Sequence, residues 1–132
     1  MENTKVLLAD DDKLIHFLFK KMTSTISFYS PLSVFNDGKE LLDYLEDKAE
    51  SDVRYLIFLD INMPVMTGWE FLESIKNKPK FSNLSIVMFS SSIDQEDVNK
   101  AFSFDHVFHF ESKPINREKL LVIWDKYHAT VK

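Results

Sequence analysis

The chain contains no cysteine among its 132 residues, which excludes a disulfide framework and a thiolate metal site. The absence fits a reducing cytoplasm, where we expect the protein to reside. No apolar run approaches the roughly 20 residues that a membrane span needs, and the polar amino terminus lacks a signal-peptide pattern. A formal net charge of −5 leaves no basic excess for a nucleic-acid-binding surface. We therefore expect neither a membrane nor nucleic acid as a partner.

The composition is that of one folded domain. Hydrophobic residues make up 45% of the chain and charged residues 28%, both ordinary for a globular protein. The sequence shows no repeat, low-complexity tract or linker, and its length suits a single core. We predict one domain over residues 1–132, with its core over about residues 4–128.

Two short apolar runs end in acids. Residues 55–59 lead into Asp60, and Pro64, which has no N–H to donate, follows in a loop. Residues 5–9 lead into Asp10, Asp11 and Asp12. Each run is typical of a buried strand that carries carboxylates at its carboxyl end. Asp12 is also suited to cap a following helix, so a capped, solvated loop explains the acid cluster equally well when it is taken alone.

Strand-like and helix-like segments alternate along the whole chain. Helical spacing follows each apolar run, with Asp94 and Asn116 as caps of the last two helices. Such alternation predicts an α/β fold with a parallel sheet and helices on both faces. The predicted strands cover residues 5–9, 32–35, 55–60, 84–89 and 106–110, and the predicted helices begin at residues 13, 39, 68, 95 and 117.

The first predicted helix, residues 13 to about 25, has more apolar positions than one buried face requires. They cover an arc of about 200°, whereas burial of one face needs little more than about 100°. Either Phe17 or Phe19 stays exposed as part of a partner site, or the helix is wedged deeply between its neighbours. His16 falls on the polar side, beside Thr23, and is expected to be a surface residue.

Polar side chains follow four of the predicted strands. In a sheet of flavodoxin-like order 2-1-3-4-5, ligands bind at the carboxyl ends of strands one and three, where Asp10, Asp11 and Asp60 lie. Crowded carboxylates favour a cation, and oxygen ligands favour a hard ion such as Mg²⁺. The hydroxyl of Ser90 and the ammonium of Lys113 are suited to contact a phosphoryl group, for which aspartate can be the nucleophile.

The motifs at these strand ends resemble those of the receiver domain of bacterial two-component response regulators. They occur in the family's order, and the resemblance covers essentially the whole chain. The residues that carry it are 7–12 (LLADDD), 59–64 (LDINMP) with Gly68, 88–91 (MFSS) and 112–114 (SKP). The resemblance implies a flavodoxin-like doubly wound (βα)5 fold. It also implies a regulator of the stand-alone type, with no output domain.

The resemblance also implies a role for each residue of the site. Asp60 would be the phosphoryl acceptor, and Lys113 would pair with the phosphoryl group. Mg²⁺, or Mn²⁺ in its place, would be held by Asp10, Asp11, Asp60 and the backbone carbonyl of Asn62.

Further positions of the family's switch and its kinetics also have counterparts. Ser90 would be the switch hydroxyl, in place of the commoner threonine. Phe110 matches the switch aromatic, although the family often has tyrosine there. Asn62 and Ser92 match positions that tune the lifetime of the phosphoryl group. Residues 104–106 lack the glycine that is often found before the fifth strand.

The resemblance suggests two protein-binding surfaces. The exposed edge of the first helix, Leu14, Ile15 and Phe17, would meet the phosphodonor, a sensor histidine kinase or a histidine phosphotransfer protein. A second surface, rich in phenylalanine, would bind a downstream protein whose identity the sequence leaves open. Core packing is the alternative for most of those side chains, which are Phe102, Phe104, Phe108 and Phe110.

Three functions therefore remain to be compared. The favoured one is a phosphoaccepting switch that catalyses only its own phosphorylation and dephosphorylation and is not a turnover enzyme. An aspartate-nucleophile phosphatase would need a second acid where Asn62 stands. A binding module that is never phosphorylated would not need the complete set of Asp60, its neighbouring acids, Ser90 and Lys113.

Overall fold

Five parallel strands alternate with five α-helices in the computed structural model, which describes residues 3–29 and 31–130. The strands are β1 (Thr4–Ala9), β2 (Leu32–Phe35), β3 (Arg54–Asp60), β4 (Leu84–Ser90) and β5 (Val107–Ser112). The helices are α1 (Lys13–Thr23), α2 (Gly38–Lys48), α3 (Gly68–Ile75), α4 (Gln95–Phe102) and α5 (Arg117–Thr130). Within these described residues, no helix is both long enough and apolar enough to cross a membrane.

The strands form one sheet in the order β2-β1-β3-β4-β5, so the predicted α/β fold and strand order are confirmed. The central strand β3 pairs in parallel with β1 on one side and β4 on the other. Alternate side chains of a strand point to opposite faces, and Ile57 and Phe58 accordingly belong to different hydrophobic clusters.

Each face of the sheet is covered by its own helices. Helices α2, α3 and α4 contribute Leu41, Phe71 and Ala101 to one cluster. Helices α1 and α5 contribute Phe19 and Leu120 to the other. Because both faces are buried, the strands read as nearly continuous apolar runs and leave their polar residues at the ends.

The helix caps follow the predictions. Asp12 accepts a hydrogen bond from the N–H of Leu14 at 2.9 Å, and Asp94 accepts one from Glu96 at 2.9 Å. Asn116 likewise accepts one from the N–H of Lys119 at 2.8 Å. These side chains satisfy N–H groups that have no partner within the first helical turn.

Several predicted boundaries differ from the structure by one or two residues. Helix α1 ends at Thr23, not near residue 25, and the hydroxyl of Thr23 donates to the carbonyl of Phe19 at 2.9 Å. Strand β5 begins one residue later than predicted and continues through Ser112. Its end is extended because Glu111 and Ser112 keep parallel register with Phe89 and Ser90 of β4.

Both glycines of the chain pack against the loop that joins β3 to α3. A Cβ on Gly68 would lie 2.4 Å from the carbonyl oxygen of Asp60, and one on Gly38 would lie 2.8 Å from that of Met66. The N–H of Gly68 donates to Ile61 at 2.9 Å, and that of Gly38 donates to Met66 at 3.0 Å. The first residues of helices α2 and α3 therefore both pack against this loop.

We expect Gly68→Ala to lower the free energy of unfolding by about 2–3 kcal/mol, because its methyl group would overlap backbone atoms that cannot rotate away. Urea unfolding measures the change. Glu73→Ala, on the exposed side of the same helix, is the control and should change stability by about 0.5 kcal/mol or less. Unchanged or increased stability of Gly68→Ala would contradict the close approach.

Candidate functional site

The sheet brings four predicted site residues to one rim. Asp60 and Ser90 are the last residues of β3 and β4, whereas Asp10 and Lys113 directly follow β1 and β5. All these strands are parallel, so their carboxyl ends meet on the same side of the domain. Asp10, Asp60 and Ser90 are buried there.

Lys113 joins the two buried acids. Its Nζ lies 2.6 Å from Oδ2 of Asp10 and 3.3 Å from Oδ1 of Asp60. Its own N–H donates to the carbonyl of Ser90 at 2.8 Å, which ties the β5–α5 loop to the end of β4. Burial lowers the pKa of Lys113 and is the largest single influence, yet the attraction of the two carboxylates outweighs it, so the net pKa is raised.

Asp60 is 7% exposed, and its environment penalises its charge. The pKa of Asp60 is raised from 3.8 to about 6: burial is the largest cause, the charge of Asp10 adds to it, and Lys113 opposes it. Burial and the charge of Asp10 together outweigh the attraction of the single ammonium. An additional positive charge at this rim would favour the ionised form of Asp60.

Asp10 is held by its backbone and its side chain. Its N–H donates to the carbonyl of Phe35 at 3.0 Å, and its Oδ1 accepts the N–H of Asp12 at 2.9 Å. Its Oδ2 is buried and accepts no well-directed hydrogen bond from the described residues, although it forms the close ion pair with Lys113. This oxygen therefore retains a lone pair for a cation.

His16 is buried, and its predicted surface position was wrong. Its ring Nε2 lies within hydrogen-bonding distance of the carbonyl oxygen of Asp10, beside the acid cluster. The periodicity of α1 placed His16 and Thr23 on the polar side, but both are buried because each finds a backbone carbonyl as its partner. A helical pattern alone contains no signal for such a partner.

The residues present fit a metal ion. One carboxylate oxygen from each of Asp10, Asp11 and Asp60 lies within 4.8 Å of the others. Asp11 is exposed, so the cluster opens to solvent on one side. Buried and exposed oxygens of this kind, with a lone pair free on Asp10, form the donor set that a hard divalent cation prefers.

The remaining predicted site residues surround this centre. The Oγ of Ser90 accepts the N–H of Ser92 at 3.3 Å, and Ser92 itself is exposed, as is Asn62. Phe110 is half-buried against the cluster beneath α2, α3 and α4. The structure thus places Asn62, Ser90 and Ser92 at or just after strand ends, while Phe110 lies further back along β5.

The edge of α1 is exposed as predicted for Leu14 and Phe17, each 60% exposed. Phe19 is fully buried, which decides between the two phenylalanines. Ile15 is half-buried and packs on the core, so it contributes less to this edge than expected. Leu18, which is 41% exposed, takes its place.

The predicted phenylalanine surface divides into exposed and buried members. Phe102 is exposed and Phe104 is buried. Phe108 and Phe110 are half-buried against different core clusters. Core packing therefore accounts for much of this set, as the alternative held.

A family model and several known proteins match this chain. The family model for the response regulator receiver domain matches residues 6–125. The chain belongs to the receiver domain family. Receiver domains interact with kinases and downstream proteins, and the acidic pocket of Asp10, Asp11 and Asp60 fits a divalent cation and phosphorylation.

Two relatives illustrate the similarity of this receiver domain to whole response regulators. A two-component response regulator from Cytophaga hutchinsonii is 27% identical, with a TM-score of 0.85 over 98% of this chain and 99% of that chain. Response regulator Rcp1 of Synechocystis sp. is 28% identical over 118 residues, which are 87% of this chain and 80% of Rcp1. A solved structure of Rcp1 in its Mn²⁺-bound form is 26% identical, with a TM-score of 0.72 over 92% of this chain and 88% of that chain.

A third relative is the probable methanogenesis regulatory protein FilR2 of Methanothrix harundinacea. It is 26% identical over 117 residues, covering 87% of this chain and 75% of FilR2.

We expect Asp60→Asn to raise the free energy of unfolding of the metal-free receiver domain at pH 7.5, because it removes a charge that is buried beside Asp10. The pKa rise from 3.8 to about 6, which already includes the opposing effect of Lys113, sets an upper limit of about 3 kcal/mol. The folded wild-type protein takes up a proton as the pH falls through about 6, so the difference should shrink between pH 7 and pH 4.5.

Urea unfolding in a metal chelator, repeated across this pH range, measures that difference. Asp47→Asn is the control, since the side chain of Asp47 is 79% exposed and its removal should produce little change and no such pH trend. An Asp60→Asn variant that is less stable at pH 7.5, or whose advantage grows on acidification, would contradict the expected cost of the charge.

Proposed function

We propose that Asp60 accepts a phosphoryl group from a phosphohistidine of a sensor histidine kinase or a histidine phosphotransfer protein. The observation that carries the proposal is the bridging of Asp60 and Asp10 by Lys113, with Asp11 completing an acid cluster beside them. Buried charge of this kind costs stability unless it is paired. Its position at the rim, where the family has its site, supports a functional role.

The transfer is a displacement at phosphorus. A carboxylate oxygen of Asp60 forms the new O–P bond as the P–N bond to the donor imidazole breaks, and the bonding electrons leave with the imidazole nitrogen. Lys113 stabilises the negative charge of the transferring group, and the Ser90 hydroxyl donates a hydrogen bond to one of its oxygens. Hydrolysis of the acyl phosphate returns Asp60 to its carboxylate form.

The acid cluster would hold Mg²⁺, or Mn²⁺ in its place. Asp10, Asp11 and Asp60 would supply carboxylate oxygens, and the backbone carbonyl of Asn62 would supply one further oxygen ligand. The bound ion supplies positive charge that balances the carboxylates and the incoming phosphoryl oxygens. A solved structure of the relative Rcp1 is described as an Mn²⁺-bound form, which supports a divalent ion as the ligand of this domain.

The phosphorylated form acts as a switch and not as a catalytic intermediate. Asn62 provides an amide where a phosphatase would carry an acid, so the acyl phosphate has no general base at that position. Asn62 and Ser92 are both exposed and influence how water reaches it. The Ser90 hydroxyl and the Phe110 ring change position together, and the domain catalyses no other turnover.

The phosphodonor would dock on the exposed edge of α1. Leu14, Phe17 and Leu18 are exposed there, and a cavity of about 300 Å³ continues the edge between Met22 and Ile115 of the β5–α5 loop. An apolar strip beside the phosphoacceptor rim suits a helical donor.

The proposal extends to where the domain is located and which protein it binds. It includes a cytoplasmic location and a downstream protein bound on the side of α4 and β5, where Phe102 is exposed.

We expect incubation with Mg²⁺ and acetyl phosphate or phosphoramidate to add one phosphoryl group, detected by intact mass spectrometry. Asp60→Asn or a metal chelator should abolish the adduct, because each removes a required part of the site. Asp105→Asn, an exposed acid remote from the rim, should leave it unchanged. No adduct with any donor would favour a binding module, and sustained phosphate release from phosphomonoesters would favour a phosphatase.

A further inference from the structure

The loop that presents Lys113 is short and carries few backbone hydrogen bonds of its own. The N–H of Lys113 donates to Ser90 at 2.8 Å, and Pro114 has no N–H to donate. The carbonyl oxygens of Ser112 and Pro114, on either side of Lys113, take no part in this contact. Their partner is a side chain of α5 that no sequence motif indicates.

That side chain is Lys119. Its Nζ donates to the carbonyl oxygen of Ser112 at 3.0 Å, to that of Pro114 at 2.9 Å, and lies 3.3 Å from Oγ of Ser112. An ammonium has three N–H donors, and three loop oxygens lie within their reach. One side chain therefore spans the segment whose middle residue is Lys113.

Glu111 completes the arrangement from the strand side. Its Oε2 accepts the N–H of Ser112 at 3.0 Å and lies 3.5 Å from Nζ of Lys119. The side chains of Glu111 and Lys119 are 15% and 27% exposed, so solvent screens this pair less than a surface pair. Ser112 is thus held at its N–H by the acid and at its carbonyl by the ammonium.

We infer that Lys119 is a positioning residue for Lys113. It fixes the backbone on both sides of Lys113, so that the Lys113 ammonium stays between Asp10 and Asp60, where the transferring phosphoryl group is expected. The inference deepens the proposed function and rests on it for its effect on phosphorylation. Its structural part, that Lys119 holds the loop, can be tested without any phosphodonor.

The protein offers a matched control in Lys126, which lies about two turns further along α5. Its Nζ contacts Nδ1 of His109 on the same strand, β5, at 3.1 Å. Loss of the Lys126 ammonium therefore removes a contact between α5 and β5 that reaches Glu111 only through His109, whose Nε2 lies 3.1 Å from Oε1 of Glu111, and it leaves the Lys119 contacts to the loop in place.

The absence of cysteine from the chain permits a chemical rescue. In Lys119→Cys the new thiol is the sole target for 2-bromoethylamine, and alkylation forms a C–S bond, releases bromide and restores an ammonium at nearly the length of lysine. Lys126→Cys, treated in the same way, is the control. Lys119→Met, which keeps an unbranched side chain without charge, is the second variant should the thiol variant fold poorly.

The first measurement is hydrogen exchange of the Lys113 N–H, in a metal chelator and without a phosphodonor. We expect exchange to be at least about tenfold faster in Lys119→Cys, since loss of the ammonium frees the loop to open locally. Aminoethylation should restore the slow exchange. Lys126→Cys should exchange at the wild-type rate before and after alkylation.

The second measurement is the rate of Asp60 phosphorylation by acetyl phosphate at saturating Mg²⁺ and at a temperature where every variant is folded. We expect about a tenfold loss in Lys119→Cys, recovery on aminoethylation, and no loss in Lys126→Cys. A merely structural role would lower stability without changing the rate measured on folded protein.

Two outcomes would overturn the inference: equal Lys113 exchange in the Lys119 and Lys126 variants, or a loss that aminoethylation fails to reverse. Slow exchange restored by the ammonium together with an unchanged phosphorylation rate would overturn the functional part. A wild-type protein that is never phosphorylated would refute the proposed function instead, and the exchange measurement would still test the loop contact.

Discussion

The ion pairs of Lys113 with Asp10 and Asp60 are the interaction on which the rest of the site depends. Two carboxylates lie buried at the rim of the sheet, and burial of an unpaired charge would cost several kcal/mol. The ammonium offsets part of this cost, but burial and the charge of Asp10 still raise the pKa of Asp60. The rim therefore keeps an excess of negative charge, which is a condition for binding a cation and, through it, a phosphoryl group.

The parallel sheet explains why these groups meet. Helices cover both faces, so the strand interiors are apolar and the functional side chains are confined to the strand ends. The order of the strands then places β1 next to β3, which brings Asp10 beside Asp60, and β4 next to β5, which brings Ser90 beside Lys113. Fold and site are thus two consequences of one pattern, in which apolar runs end in polar residues.

Local sequence patterns are enough to predict part of the site but not all of it. Strands, caps and the residues at strand ends follow from local patterns, so Asp60, Asp10 and Lys113 could be placed before the structure was known. His16 and Lys119 could not, because each side chain contacts a backbone carbonyl that lies outside its own helix, six or seven residues earlier in the chain. A histidine in a helix and a lysine in a helix are ordinary residues, and their partners are defined only once the chain has folded.

The loop after Asp60 has one more consequence. Gly68 lies against the carbonyl of Asp60, and Gly38 lies against that of Met66, so the first turns of α3 and α2 pack against the two ends of the same loop. Val65 between them has a positive φ of 65°, a conformation that leaves a β-branched residue little freedom to adjust. A displacement of this loop would therefore press against the first turns of two helices at once, because neither glycine leaves room for the backbone beside it to move closer.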